Sequence, residues 1–267
     1  MIRKCAKGDF QEMLDFIGDD HYRCPYLYLD MVTYGFEAPF VSMWRQNRAD
    51  GSMAAVWLKY HSGMHVYAPH GYADVGEAAD LVRSERPSML CGVPEVLLPL
   101  EKHLEGDGYA FLGGTACRYD HPPKKLEPID FRVAESEADF NRIGEMLYAD
   151  SEYGASYKPG ELASQLSERQ RLGQGKSFVV EREGRIVSHM CIAVECERFT
   201  VLSSGVTDQS CRHDGLCSRL VFTVAEGLKN AGKESYSFYY NPVAAALHRK
   251  IGFVDTCAWG RLFLKMH

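Results

Sequence analysis

The chain has 267 residues, 46% apolar and 25% charged, an ordinary composition for a folded protein that excludes wholesale disorder and fibrous repeats. Its net charge of −6 lacks the positive field a phosphate-backbone binder needs, so no nucleic-acid partner is expected. No apolar run nears the ~20 residues that span a bilayer, so no membrane partner is expected either.

The start, MIRKCAKGDF, meets Gly8 and Asp9 before any apolar stretch and is not expected to act as a signal peptide. Ile2–Cys5 reads as a strand, and Phe10, Met13, Leu14 and Ile17 form one helix face. The aromatic-rich segment His21–Phe36 has two readings, as lining of an acceptor cleft or as core beneath that helix. Phe40–Arg45 and Ser52–Tyr60 read as strands joined by the turn-forming NRADG, with Met64–Ala68 as a third. Ala73–Val82 reads as helix, Ser88–Cys91 as strand, Val93–Leu104 as helix interrupted by Pro99, and Tyr109–Thr115 as strand.

The clearest break is YDHPPKKLEPID, Tyr119–Asp130, with three prolines and five charges. Proline lacks the N–H and clashes backwards, which bars an interior helix or central strand. The expectation is a linker, 121–129, between domains 1–120 and 130–267.

Beyond it, Phe131–Val133 reads as strand, followed by helices over Glu135–Tyr148 and Pro159–Arg171. Strands follow at Phe178–Glu181, Ile186–Val194 and Phe199–Val206. Gly215–Ala231 is helical, with Leu216, Leu220, Val224 and Leu228 on one stripe. Ser235–Tyr240 alternates as a strand, Asn241 caps a helix that Pro242 opens, and Gly252 ends that helix before a last strand, Phe253–Leu264. The order βααβββαβαβ is loosely echoed by the first half, which predicts a structural duplication.

The segment GVTDQSCRHDGLCSRLV, Gly205–Val221, carries the chemistry. A strand ends, and a helix opens at a glycine. Outward backbone N–H groups and the helix dipole make an anion site there, with pyrophosphate as the natural guest. Neither GxxxxGK[ST] nor GxGxxG is present.

Arg212-x-x-Gly215-Leu216-Cys217 resembles the R/Q-x-x-G-x-G/A signature of the Gcn5-related N-acetyltransferases (GNAT). NPVAAALHRKIGF resembles the family's N-x-x-A-x-x-L-Y-x-K-x-G-F segment at Asn241, Ala244, Leu247, Lys250, Gly252 and Phe253. The resemblance covers about 130–267, and the first half looks like a degenerate copy without the phosphate loop, as in tandem members. It implies an α/β (α+β) fold, a mixed central sheet flanked by helices. It also implies direct transfer of an acetyl group from acetyl-coenzyme A to an amine of a small molecule.

The cofactor would rest on Ser204, Gly205, Val206, Arg212, His213, Asp214, Gly215, Leu216, Cys217, Ser218 and Asn241. His248 stands where many members carry a tyrosine that protonates the departing thiolate. It is the candidate acid, with Tyr236, Tyr239 and Tyr240 as rivals and a surface imidazole as the alternative. Glu195, beside Glu197 in VECERF, is the candidate base or else decorates an exposed hairpin. Asp214 and Cys217 also depart from the pattern. A carboxylate beside a pyrophosphate is repulsive unless it turns away, and Asp214 is a good helix cap.

Nine cysteines with no CxxC fit a reduced, cytoplasmic protein. Arg45, His61, His65 and His70 form no recognised ligand set, so no metal is expected. A monomer or homodimer is expected. A non-catalytic acyl-coenzyme A binder and a structural interaction module remain the alternative functions.

Overall fold

The computed structural model describes residues 1–124, 126–154 and 158–264, so Lys125 of the expected linker and residues 265–267 of the expected second domain lie outside the described residues. Contacts divide the chain into Met1–Ala116 with Thr256–His267, and Cys117–Asp255. The proline segment therefore falls within the second unit, and most of the last strand within the first.

The first segment runs β1 (Ile2–Lys4), α1 (Phe10–Ile17), α2 (Pro25–Tyr34), β2 (Val41–Asn47), β3 (Met53–Tyr60), β4 (Gly63–Tyr67), α3 (Val75–Glu85), β5 (Met89–Gly92), α4 (Pro94–His103) and β6 (Tyr109–Tyr119). Strands β1 to β4 pair antiparallel in sequence, β5 joins β4 in parallel, and residues Gly260–Phe263 pair antiparallel with β5. Of the aromatic segment, Leu27, Met31 and Tyr34 enter a core with Met13, Ile17, Val56 and Leu58. The core reading thus describes the inward face of α2, a helix the sequence reading did not assign.

The second segment runs β7 (Arg132–Val133), α5 (Glu137–Tyr148), α6 (Ser151–Gly154), α7 (Glu161–Arg171), β8 (Lys176–Arg182), β9 (Arg185–Glu195), β10 (Phe199–Thr207), α8 (Leu216–Asn230), β11 (Glu234–Tyr239), α9 (Pro242–Ile251) and β12 (Phe253–Leu264). Strands β7 to β10 pair antiparallel, whereas β10 and β11 are parallel. Apart from the short α6, the order of elements repeats that of the first segment, down to one parallel pair after a three-stranded meander. In each segment the strand pairing is mixed, parallel and antiparallel, as expected.

Leu216, Leu220 and Val224, three of the four stripe residues, meet Phe178, Val180, Val187, Leu202, Ala245, Ile251 and Phe253 in the second core. The proline segment is strapped to α8 rather than loose. Arg219 donates to the carbonyls of Glu127 and Pro128 at 3.0 and 2.7 Å, Thr223 accepts the Ile129 N–H at 3.1 Å, and Lys229 donates to the Asp120 carbonyl at 2.7 Å.

Candidate active site

Strands β10 and β11 pair only at Phe199↔Glu234, Thr200↔Ser235 and Val201↔Tyr236. Both continue, to Thr207 and Tyr239, without further pairing in that register, so they part as a fork. On its other edge β10 stays joined to β9, but with a slip. Ser203 pairs with Cys191 and Val206 with His189, so Ser204 and Gly205 together face one residue. This is a bulge, which re-aims backbone groups. Ser204 takes φ 56°, and its carbonyl accepts from His189 Nδ1 at 2.9 Å.

The chain then turns under the control of Asp208. Its Oδ1 accepts from the Ser210 N–H and hydroxyl at 3.0 and 2.6 Å, and its Oδ2 meets Arg142 and Arg185. The Ser210 hydrogen bonds hold its carboxyl down near 2. His213 and Gly215 both take φ 73°, and Gly215 stands at the N-cap of α8. A glycine N-cap offers no side-chain acceptor, so the first N–H groups of α8 gain no cap from it. A Cβ built on Gly215 would meet nothing within 4 Å. Leu216 and Ser218 are buried and anchor the first turn, and Cys217 Sγ would stand 3.2 Å from a Cβ on Gly205. The helix entrance therefore closes directly onto the bulge. Burial pushes the Cys217 thiol up to about 12, which leaves it unreactive.

Charge at the entrance is distributed in pairs. Arg212 is exposed, 3.5 Å from the Asp150 carboxylate, and its Nε reaches the Thr207 carbonyl at 3.4 Å. Asp214 pairs with Arg182. It does not cap α8, the role its position beside the helix start suggested.

At the root of the fork, Ser237 is the first β11 residue beyond the paired stretch. Its hydroxyl lies 2.9 Å from His248 Nε2, while His248 Nδ1 lies 2.7 Å from the Ala244 carbonyl. A carbonyl only accepts, so Nδ1 carries the proton and Nε2 accepts from Ser237. Burial lowers the His248 pKa, opposed by the Ala244 carbonyl and the Asp255 charge. His248 is thus no free surface imidazole. At neutral pH its Nε2 lone pair is engaged, and only the cation donates there.

Asn241 caps α9 by accepting the Ala244 N–H at 2.8 Å, as its sequence position before Pro242 suggests. Tyr240 follows β11, half-buried. Tyr236 donates to Glu234 and Tyr239 to Asp255, each at 2.8 Å.

The structure brings Ser204–Val206, Arg212–Ser218 and His248 to one fork. It does not bring Glu195 there. That residue pairs with Thr200 in the closed part, about 13 Å of strand from Ser204. Its carboxylate receives Lys233 Nζ at 2.5 Å. Sequence reasoning missed Ser237, His189 and Arg182, since nothing local marks them. Among the described residues no helix is long and apolar enough to cross a membrane, and no cluster of three or more acidic, His or Cys side chains is arranged to hold a metal.

Residues 142–253 match the acetyltransferase (GNAT) family model. An acetyltransferase from the GNAT family of Colwellia psychrerythraea is similar over 99% of this chain and 100% of its own, at 15% identity and TM-score 0.55. A GCN5-related N-acetyltransferase from Sphaerobacter thermophilus is similar over 100% of this chain and 96% of its own, at 16% identity and TM-score 0.62. A tandem GNAT protein from the clavulanic acid biosynthesis pathway, solved without acetyl-coenzyme A, is similar over 99% of this chain and 98% of its own, at 13% identity and TM-score 0.60. No curated protein matches the chain by sequence.

Proposed function

Since residues 142–253 match the GNAT acetyltransferase family model and solved GNAT proteins share the fold, we propose that the chain is a GNAT acetyltransferase whose second unit binds acetyl-coenzyme A in the β10–β11 fork and transfers the acetyl group to an amine of a small molecule. The observation that carries this reading is the bulge at Ser204–Gly205 inside a fork that ends at a glycine-opened helix.

The pyrophosphate rests on the N–H groups at the start of α8 with Arg212 beside them, and the pantetheine lies along Ser204–Val206 as an added strand. The amine attacks the thioester carbon while a backbone N–H of the bulge stabilises the developing oxyanion. As the C–S bond breaks, the thiolate takes its proton from His248 as a cation, at the Ser237–His248 contact, or from Tyr240, and the proton lost by the acylated nitrogen passes to water. Glu195, paired with Lys233 in the closed part of the sheet, is not carried into this mechanism.

The tandem reading, with domains 1–120 and 130–267, assigns the cofactor to the second alone. The helix that corresponds to α8 in the first unit is α3, and its entrance is capped by Asp74, whose carboxylate accepts from Gly76 and Glu77 N–H at 2.8 and 3.1 Å. An anion there would meet a carboxylate in place of bare N–H groups.

Calorimetric titration with coenzyme A and acetyl-coenzyme A tests the binding, and an amine panel followed by thiol release tests the transfer. The engaged Nε2 of His248 favours one second reading, an acyl-coenzyme A binder without turnover. Binding without thiol release across a broad panel would select it.

A further inference from the structure

We infer that His189 is a positioning residue for the acyl group: by holding the Ser204 carbonyl it fixes the peptide whose N–H, on Gly205, faces the thioester oxygen. The inference rests on the acetyl-coenzyme A reading of the fork.

His189 lies on β9 opposite Val206 and is fully buried, at 0% exposure. Its Nδ1 is 2.9 Å from the Ser204 carbonyl, which fixes the proton on Nδ1. Its Nε2 is buried with no hydrogen-bond partner among the described residues. Burial drives its pKa down to about 4, so the ring is neutral. An imidazole with one empty nitrogen is a costly way to fill a core position, where an apolar side chain would pack without that loss. What it supplies is a single N–H, spent on one carbonyl.

That carbonyl belongs to the residue that most needs holding. Ser204 is an L-residue at φ 56°, a conformation that persists only where its surroundings impose it. The peptide that follows is planar and trans, so its C=O and N–H point in opposite directions. With the Ser204 oxygen turned to His189, the Gly205 N–H turns away from it. Sheet order places β9 on one side of β10 and β11 on the other. The N–H is therefore directed to the side on which the strands part. Neither register assigns Gly205 a partner. Cys217 Sγ, 3.2 Å from a Cβ on Gly205, closes the space a larger residue would need.

The test compares His189→Asn, whose amide N–H stands near the place of Nδ1–H, with His189→Leu, which has no donor. Coenzyme A has no acyl carbonyl, so its affinity should stay within about twofold in both variants. In the wild type the Gly205 amide resonance should differ between the coenzyme A and acetyl-coenzyme A complexes. His189→Asn should keep that difference, and His189→Leu should abolish it. With an accepted amine, kcat should fall about 10- to 100-fold in His189→Leu at unchanged KM and largely recover in His189→Asn, the scale of a misplaced oxyanion donor.

Should His189→Leu fail to fold, His189→Gln takes its place, since its donor sits nearer Nε2. Asn active and Gln impaired supports the inference. Equal behaviour of both with the wild type overturns it, as does an unchanged Gly205 signal or normal kcat in a folded His189→Leu. A wild type that binds neither coenzyme A nor acetyl-coenzyme A overturns the cofactor reading itself.

Discussion

The Asp214 carboxylate is held by the guanidinium of Arg182, the last residue of β8, across 32 positions of sequence. Both side chains are nearly half exposed, so the pair adds little to stability. Its consequence is placement, because an acid next to the proposed anion site is drawn to one side. Arg182→Ala should weaken coenzyme A binding several-fold at low salt, and Asp214→Asn should restore it in the double variant. Calorimetry at two ionic strengths checks this, and full additivity of the two changes would separate the pair from the site.

Gly215 takes φ 73° with open space where a Cβ would be. Gly215→Val costs about 1–2 kcal/mol for the left-handed backbone, and more for the β-branch. It also places methyl groups before the α8 entrance. Coenzyme A affinity should fall at least tenfold while thermal unfolding shifts by only a few degrees. Equal affinity in the two proteins would remove the pyrophosphate from this loop.

His248→Ala should lower turnover by about 10- to 100-fold with cofactor affinity unchanged, since acid catalysis and phosphate binding use different groups. Ser237→Ala frees Nε2 from its hydrogen bond and should shift the acidic limb of the kcat–pH profile without loss of binding. His248→Tyr should recover part of the rate. Normal turnover in His248→Ala would pass the proton to Tyr240 or water.

The buried histidines set an acid limit on stability. The folded pKa of His189 is about 4, below the unfolded value of ~6.5. Between these values the unfolded chain binds the extra proton. The stability is therefore complete above pH ~6.5 and is lost as pH falls toward 4, by up to about 3 kcal/mol. His248, also lowered, contributes in the same direction. Asp208, held near 2, loses its contribution only below pH ~4. Urea midpoints at pH 7 and 4.5 measure the effect, and His189→Asn should flatten the dependence.

Gly252 packs against the proline strap, where a Cβ would lie 2.4 Å from the backbone of His121 and Pro122. Its own φ is 114°, and its carbonyl accepts the Asp120 N–H at 2.9 Å. Gly252→Ala should cost about 3 kcal/mol, because backbone on both sides leaves no room to give. Denaturant unfolding and proteolysis within 119–131 would report it.

The sequence by itself determined most of the elements and the glycine-opened entrance of α8. Stripes such as Leu216–Leu220–Val224, the NRADG turn, the Asn241–Pro242 entrance and Gly215 all act over a few residues, where periodicity and capping rules apply. Helix α2 escaped because Leu27, Leu29, Asp30 and Met31 are all buried, so no polar face marks its period. Tertiary structure alone decided the rest. The proline segment became a strap because Arg219, Thr223 and Lys229 lie about a hundred residues onward with donors and acceptors for its backbone. Thr256 onward joined the first unit because β5 offers its edge. The Ser204 bulge, the His189 contact that holds it, the Ser237–His248 contact and the removal of Asp214 by Arg182 each depend on a partner from another strand or helix. A linear pattern records which residues alternate, but not which distant group meets them.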